Sequence, residues 1–362
     1  MSFRNDCDIA IESLETFTAE AADRRSAVIR QPPIAELAQQ LKLDQLIADG
    51  GLYGGALRTF MTTYLSATTR LHHPAYMAHQ VAIPHPLGAV AALVDAFTNN
   101  AMAIYEMGPA AATVEYAVIN WMLGKAGWRP SPMPGSSAED GDHGGGALTH
   151  GGSLANLTAL AAARGRMAPD AWRKGNPGNL VIVAPKGSHY SVTRAAGILG
   201  LGQDAVKEAP TDADGRLNPG KLGDFITGLQ RQNSVILAVV ANACSTAVGL
   251  YDPLRDVAEV CGDRGVWLHV DGAHGASALV SERHRSLLDG VEMADSLVWD
   301  AHKMLRTPTL CAAVLVRDHR DLDNAFQEEA SYLFHEKDQP GFDFIHRTVE
   351  CTKAALGLKV FF

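Results

Sequence analysis

The stretch Ser296-Leu-Val-Trp-Asp-Ala-His-Lys-Met-Leu-Arg-Thr-Pro-Thr-Leu-Cys-Ala-Ala-Val-Leu-Val316 decides the reading of this chain. An apolar segment meets a polar knot at Asp300, His302 and Lys303, and a second apolar run follows from 310 to 316. Apolar runs of this length without polar alternation read as strands buried on both faces. A lysine lodged between two such strands loses much of its hydration, which makes its neutral, nucleophilic amine accessible. Lys303 is therefore a candidate Schiff-base nucleophile. The competing reading is a lysine that snorkels to solvent at a strand end.

Working outward, the same apolar signature recurs at Leu180-Val-Ile-Val-Ala184, Ser234-Val-Ile-Leu-Ala-Val-Val-Ala241 and Val266-Trp-Leu-His-Val-Asp271. Helical patterns at 190–201, 254–262 and 286–290 separate these runs. The alternation predicts an α/β fold with a mostly parallel sheet and helices on both faces. Ligands of such sheets bind beyond the carboxyl ends of the strands. That edge would carry His189, residues 242–246 including Thr246, Asp271, Ala273, His302 and Lys303. Upstream, Gly144-Gly-Gly-Ala-Leu-Thr-His-Gly-Gly-Ser-Leu-Ala-Asn156 reads as a glycine-rich loop, with a helix running from 154 to 164. The backbone amides of Gly152 and Ser153 at that helix start form an anion cradle. Neither Gly-Lys-Ser/Thr nor G-x-G-x-x-G occurs there, which disfavours a nucleotide P-loop.

Residues 12–49 show helical periodicity interrupted by Pro32-Pro33, and 88–98 and 110–125 read as further helices. Residues 131–146 read as a flexible loop inside one domain. His72, His73, His79 and His85 fall in a segment broken by prolines that joins no cysteine or carboxylate. They line a polar cleft more readily than they converge on a metal. The formal net charge of -9 argues against a nucleic-acid partner. No run approaches a membrane span, no signal peptide opens the chain, and the five scattered cysteines suggest reduced thiols. A cytoplasmic protein is the expectation.

Together, Thr149-His-Gly-Gly-Ser-Leu-Ala-Asn156, Ser188-His-Tyr-Ser191, Val270-Asp-Gly-Ala-His274 and Asp300-Ala-His-Lys303 resemble the motifs of the group II pyridoxal-phosphate decarboxylases. That family acts on glutamate, aromatic amino acids, cysteine sulfinate and diaminobutyrate. The resemblance implies pyridoxal 5'-phosphate as cofactor and the fold type I architecture with a seven-stranded sheet. It implies that Lys303 forms the Schiff base and that His302 reaches the phosphate beside Gly152 and Ser153. By the same resemblance Asp271 keeps the pyridine nitrogen protonated, so the ring can accept the electron pair left by departing carbon dioxide. His189 stacks on the ring, Ala273 packs its other face, and Thr246 lies near its hydroxyl. Ala330-Ser-Tyr-Leu-Phe-His335 resembles the family's mobile catalytic loop, which makes Tyr332 the candidate proton donor. Tyr105-Glu-Met-Gly-Pro109 and the Ser-Tyr-Leu-Phe run look nearer the acidic-substrate branch. An L-glutamate, L-aspartate or cysteine sulfinate substrate is expected, with His79, Gln80 and Asn100 as candidate contacts. A homodimer with active sites at the subunit interface is also implied.

Two departures stand out. Asp300 occupies a position where the family more often has Asn, which brings an extra carboxylate toward the phosphate. The chain also ends in an apolar run, where the family usually continues into a C-terminal small domain, and that domain is expected to be missing here. The expected organisation is an N-terminal helical segment at 1–65 with dimer contacts, a large cofactor domain at 66–325, the loop at 326–345, and the start of a truncated domain at 346–362. Alternative readings are another reaction of the same fold (transamination, aldehyde synthesis or carbon-carbon cleavage) or a non-catalytic fragment or subunit.

Overall fold

The computed structural model describes residues 2–77, 79–136, 141–326 and 341–362. Its contacts divide the chain into two compact units, Met1–Ile83 and Pro84–Phe362. No described helix is long and apolar enough to cross a membrane.

The first unit is helical, with α1 (Phe3–Ala22), α2 (Ile34–Gln40), α3 (Leu43–Asp49) and α4 (Gly54–Ser66). Ser2 caps α1 by accepting from the Asn5 amide at 3.3 Å, so this helix begins well before the periodic signal at residue 12. Pro32 and Pro33 separate α1 from α2, as the sequence requires. The unit is tied together by Arg70, which is buried, donates to the Phe17 carbonyl at 2.8 Å and lies 4.3 Å over the Phe17 ring.

The second unit holds a seven-stranded sheet made of β1 (Gly145–Thr149), β2 (Leu180–Ala184), β3 (Val206–Glu208), β4 (Val235–Asn242), β5 (Leu268–Asp271), β6 (Ser296–Asp300) and β7 (Ala312–Val316). The spatial order is β1-β7-β6-β5-β4-β2-β3. The run from β6 to β3 is parallel, and β7 is antiparallel to both β1 and β6. Its helices are α5 (Pro86–Thr98), α6 (Pro109–Lys125), α7 (Gly152–Met167), α8 (Ala171–Lys174), α9 (Ser191–Ile198), α10 (Pro219–Arg231), α11 (Leu254–Gly262), α12 (Arg320–Asp323) and α13 (Leu356–Phe361).

Strand periodicity sorts the side chains between two cores. Val183, Val239, Leu297, Trp299 and Leu315 pack with α6, α10 and α11 on one face. Ile182, Ala184, Ala238 and Val240 pack with α7 and α9 on the other. Helices on both faces explain why the strands are apolar throughout. Residues 346–362 belong to this unit, and α13 packs on α5 and α6.

Three elements differ from the sequence reading. The stretch taken as a glycine-rich loop contains β1, an edge strand paired with β7 from Gly145↔Val316 to Thr149↔Ala312. Glycine is needed there by crowding, since a Cβ on Gly146 would lie 2.7 Å from the Val314 carbonyl oxygen. The short β3 and the helix α10 also went unpredicted. The Asn218-Pro219 pair was the available signal for α10, because Asn218 caps it through the Lys221 amide at 3.2 Å and Pro219 begins it.

Candidate active site

The carboxyl ends of the parallel strands open into one cavity of about 290 Å³. Its lining includes Gly152 and Ser153 from the start of α7, His189 after β2, Thr246 after β4, Asp271 and Ala273 at the end of β5, and His302 and Lys303 after β6. Eight positions expected on this edge from sequence are thus brought together. The sheet explains the convergence, since Ala312 of β7 pairs with both Thr149 and Asp300 and sets the turn before α7 level with the turn carrying Lys303.

Lys303 is not surrounded by apolar groups alone. Its Nζ lies 3.1 Å from Asp300 Oδ2, and its side chain is 20% exposed. The Cys311 backbone brackets Nδ1 of His302, with the carbonyl oxygen at 2.8 Å and the amide nitrogen at 3.2 Å. His302 Nε2 is 3.7 Å from Asp300 Oδ2. Burial pushes the Asp300 carboxyl up, with Lys303 and His302 pulling it back. Asp300 Oδ1 is buried with no hydrogen-bond partner among the described residues.

A hydrogen-bonded chain beneath the cavity orients Asp271 and His189. The Trp267 indole can only donate, and it meets Ser296 Oγ at 2.9 Å. Ser296 then donates to His269 Nδ1 at 2.8 Å, leaving the proton of His269 on Nε2, which donates to Asn156 Oδ1 at 2.9 Å. Complete burial pushes the His269 imidazole down to about 4, so it is neutral at pH 7 and this tautomer is defined. The Asn156 amide donates to Asp271 Oδ2 at 3.0 Å and to Ser191 Oγ at 2.8 Å. Ser191 in turn donates to His189 Nδ1 at 2.8 Å, which puts the His189 proton on Nε2. Burial also lowers His189, favouring the neutral ring. The other Asp271 oxygen accepts from the Ala273 amide at 3.2 Å.

Sequence reasoning assigned no role to Asn156, Ser191, His269 or Ser296. Two signals were present. Asparagine is unfavourable inside a helix such as α7 unless its side chain is engaged. His269 and Asp271 also stand two apart on β5 and therefore face the same side.

The remaining expected residues lie elsewhere. Asn100 sits against the Gly108 turn before α6, outside the cavity lining. His79 and Gln80 belong to the first unit. Tyr332 lies outside the described residues.

Residues 56–362 match the family described as the pyridoxal-dependent decarboxylase conserved domain, and the chain belongs to that family. It is 32% identical over 345 residues to acidic amino acid decarboxylase GADL1 of Mus musculus, covering 94% of this chain and 60% of that protein. It is 33% identical over 267 residues to cysteine sulfinic acid decarboxylase of Rattus norvegicus, covering 73% and 52% respectively. A solved structure of mouse CSAD in apo form superposes with a TM-score of 0.82 at 27% identity, covering 98% of this chain and 73% of that one. The chain thus spans about 60% of the length of the first of these relatives.

Proposed function

We propose that this chain carries the cofactor domain of a pyridoxal 5'-phosphate-dependent carboxy-lyase acting on an acidic L-amino acid, namely glutamate, aspartate or cysteine sulfinate. The observation that carries the proposal is the convergence of Lys303, Asp271, His189, His302 and the Gly152-Ser153 turn on one cavity. The family match and the acidic substrates named for its relatives support it.

The residues fit the cofactor on grounds of their own. Gly152 has no room for a side chain, since a Cβ would lie 2.7 Å from Asp300 Oδ1, so its backbone stays open to a phosphate. Asp271 is held by two donors, and Lys303 lines the same cavity as that aspartate and the turn. When bound, pyridoxal phosphate supplies a ring that accepts the electron pair released with carbon dioxide.

The protein residues divide the remaining work. Lys303 would hold the cofactor through its aldehyde carbon. Asp271, oriented by Asn156 and the Ala273 amide, keeps a proton on the pyridine nitrogen. His189, Ala273 and Thr246 line the cavity and would hold the ring. His302, Gly152 and Ser153 receive the phosphate. Tyr332 returns a proton to the substrate α-carbon. We place the enzyme in the cytoplasm as a homodimer. Leu87, Val90, Leu93, Val94 and Phe97 give α5 an exposed apolar stripe consistent with a second copy.

Borohydride reduction with pyridoxal phosphate followed by peptide mapping tests the anchor, and label is expected on Lys303. Amine and carbon dioxide from one of the three acidic amino acids test the reaction. Label on another lysine would refute the assignment of the site.

A further inference from the structure

Asp300 ends β6, and its side chain is only 3% exposed. One oxygen is accounted for, since Oδ2 lies 3.1 Å from Lys303 Nζ and 3.7 Å from His302 Nε2. The other, Oδ1, is buried with no partner among the described residues. A buried polar atom left unpaired is costly and calls for an explanation.

Its position supplies one. A Cβ built on Gly152 would lie 2.7 Å from Oδ1 and 2.9 Å from Oδ2, so the carboxyl group is pressed against the first turn of α7. That helix is 16 residues long, and the unpaired amides and positive dipole end at its start attract anions. Asp300 lines the same cavity as Gly151, Gly152 and Ser153. An ionised carboxylate there is acceptor-only and repels an incoming anion, whereas a protonated carboxyl donates to it.

The surroundings favour the protonated form once an anion arrives. Burial raises the Asp300 carboxyl, Lys303 and His302 on the following turn oppose that rise, and Asp271 of β5 adds to it. Cys311, on the segment entering β7, is held as a neutral thiol by burial that pushes it up to about 12. From α7 come the uncharged Gly152, Ser153 and Asn156, and from the turn before it His150, which is paired with Glu350. A phosphate bound at this turn adds negative charge beside a carboxyl that burial already raises, and further disfavours its ionised state.

Resting on the reading of this cavity as the phosphate end of a pyridoxal-phosphate site, we propose that Asp300 makes phosphate uptake proton-linked. The anion enters together with a proton drawn from solvent, and Asp300 then donates to it through Oδ1. The family's more frequent Asn would offer a permanent donor at this place. Asp300 instead makes that donor depend on pH.

The test is calorimetric titration of the whole chain with inorganic phosphate at one pH, in buffers of different ionisation enthalpy, which counts the protons taken up. Asp300→Asn removes the titrating group while keeping a donor, and subtracting its count removes the proton chemistry of phosphate itself. The expected result is up to one additional proton for the native chain. Its phosphate dissociation constant should also rise by up to tenfold more per pH unit than that of D300N. Equal proton counts, or no phosphate binding by the native chain, would overturn the proposal. Infrared difference spectra of the native chain give a second readout independent of the variant's folding. A protonated-carboxyl stretch should appear on phosphate binding, and its absence would count against the link. Borohydride labelling away from Lys303 would sink the cofactor reading instead, and leave these phosphate measurements interpretable.

Discussion

The carboxamide of Asn156 couples His269 to Asp271, its oxygen accepting from His269 Nε2 over 2.9 Å and its nitrogen donating to Asp271 over 3.0 Å. Replacing it with alanine strands the His269 N–H and one Asp271 oxygen in a buried setting, at a cost of about 1–3 kcal/mol. Asn156→Ala is expected to weaken pyridoxal-phosphate retention by at least roughly tenfold, the equivalent of about 1.4 kcal/mol. Equilibrium dialysis measures this directly. Unchanged retention would show that Asp271 keeps its orientation without Asn156.

His269 makes stability depend on pH with a definite sign. Its folded value is about 4 against 6.5 for the free side chain, so between those limits the unfolded chain binds more protons. Its contribution is fully present above pH 6.5 and is lost as pH falls toward about 4, by roughly 3 kcal/mol at the limit. Urea unfolding at pH 7 and pH 5 should show the loss. In His269→Gln that part of the pH dependence should vanish, and an identical pH slope in the variant would contradict the assignment.

Gly152→Ala tests the space at the start of α7. The added carbon would lie 2.7 Å from Asp300 Oδ1, closer than such atoms approach, and that neighbour is a buried carboxyl held by Lys303. Either the turn or Asp300 must move. Phosphate and pyridoxal-phosphate affinity should both fall by on the order of tenfold or more, as read by fluorescence titration. A variant that binds both normally would mean that the anion does not use this turn.

Glu115 of α6 and Lys353 form a fully buried ion pair that also engages β1. Lys353 donates to the Leu148 carbonyl at 2.6 Å, and Glu115 accepts from the Leu148 amide at 2.9 Å. Burial raises the Glu115 carboxyl while Lys353 lowers it. Breaking a buried pair from one side costs about 3–5 kcal/mol because the surviving charge is left alone. Lys353→Met should lower stability by that order in denaturant unfolding, and Lys353→Met with Glu115→Leu should recover much of it. A single variant as stable as the native chain would contradict the account.

The central sheet was legible because strands buried on both faces must be apolar throughout. Leu180–Ala184 and the runs containing β4, β5, β6 and β7 announce themselves in this way. β1 escaped because its glycines answer to backbone crowding by Val314 and His319, a tertiary constraint that reads locally as a loop. β3 is three residues long and only partly buried, too short to show a pattern. At the cavity, groups at strand ends could be placed by the topology rule, which is why Asp271, His302 and Lys303 were found. Asn156 and Ser296 act from beneath, through partners 113 and 27 positions from His269 in the chain, and such pairings have no local signature. Asp300 was noticed as a charge, but its unpartnered oxygen belongs to the fold alone.

The Glu115–Lys353 pair sets an order on biogenesis. While the chain emerges from the ribosome, α6 and β1 are complete some two hundred residues before Lys353 exists. Until then, docking α6 on the sheet would shut an uncompensated carboxylate into the core. Sealing this face of the nascent sheet is therefore expected to be favourable only once residue 353 is delivered.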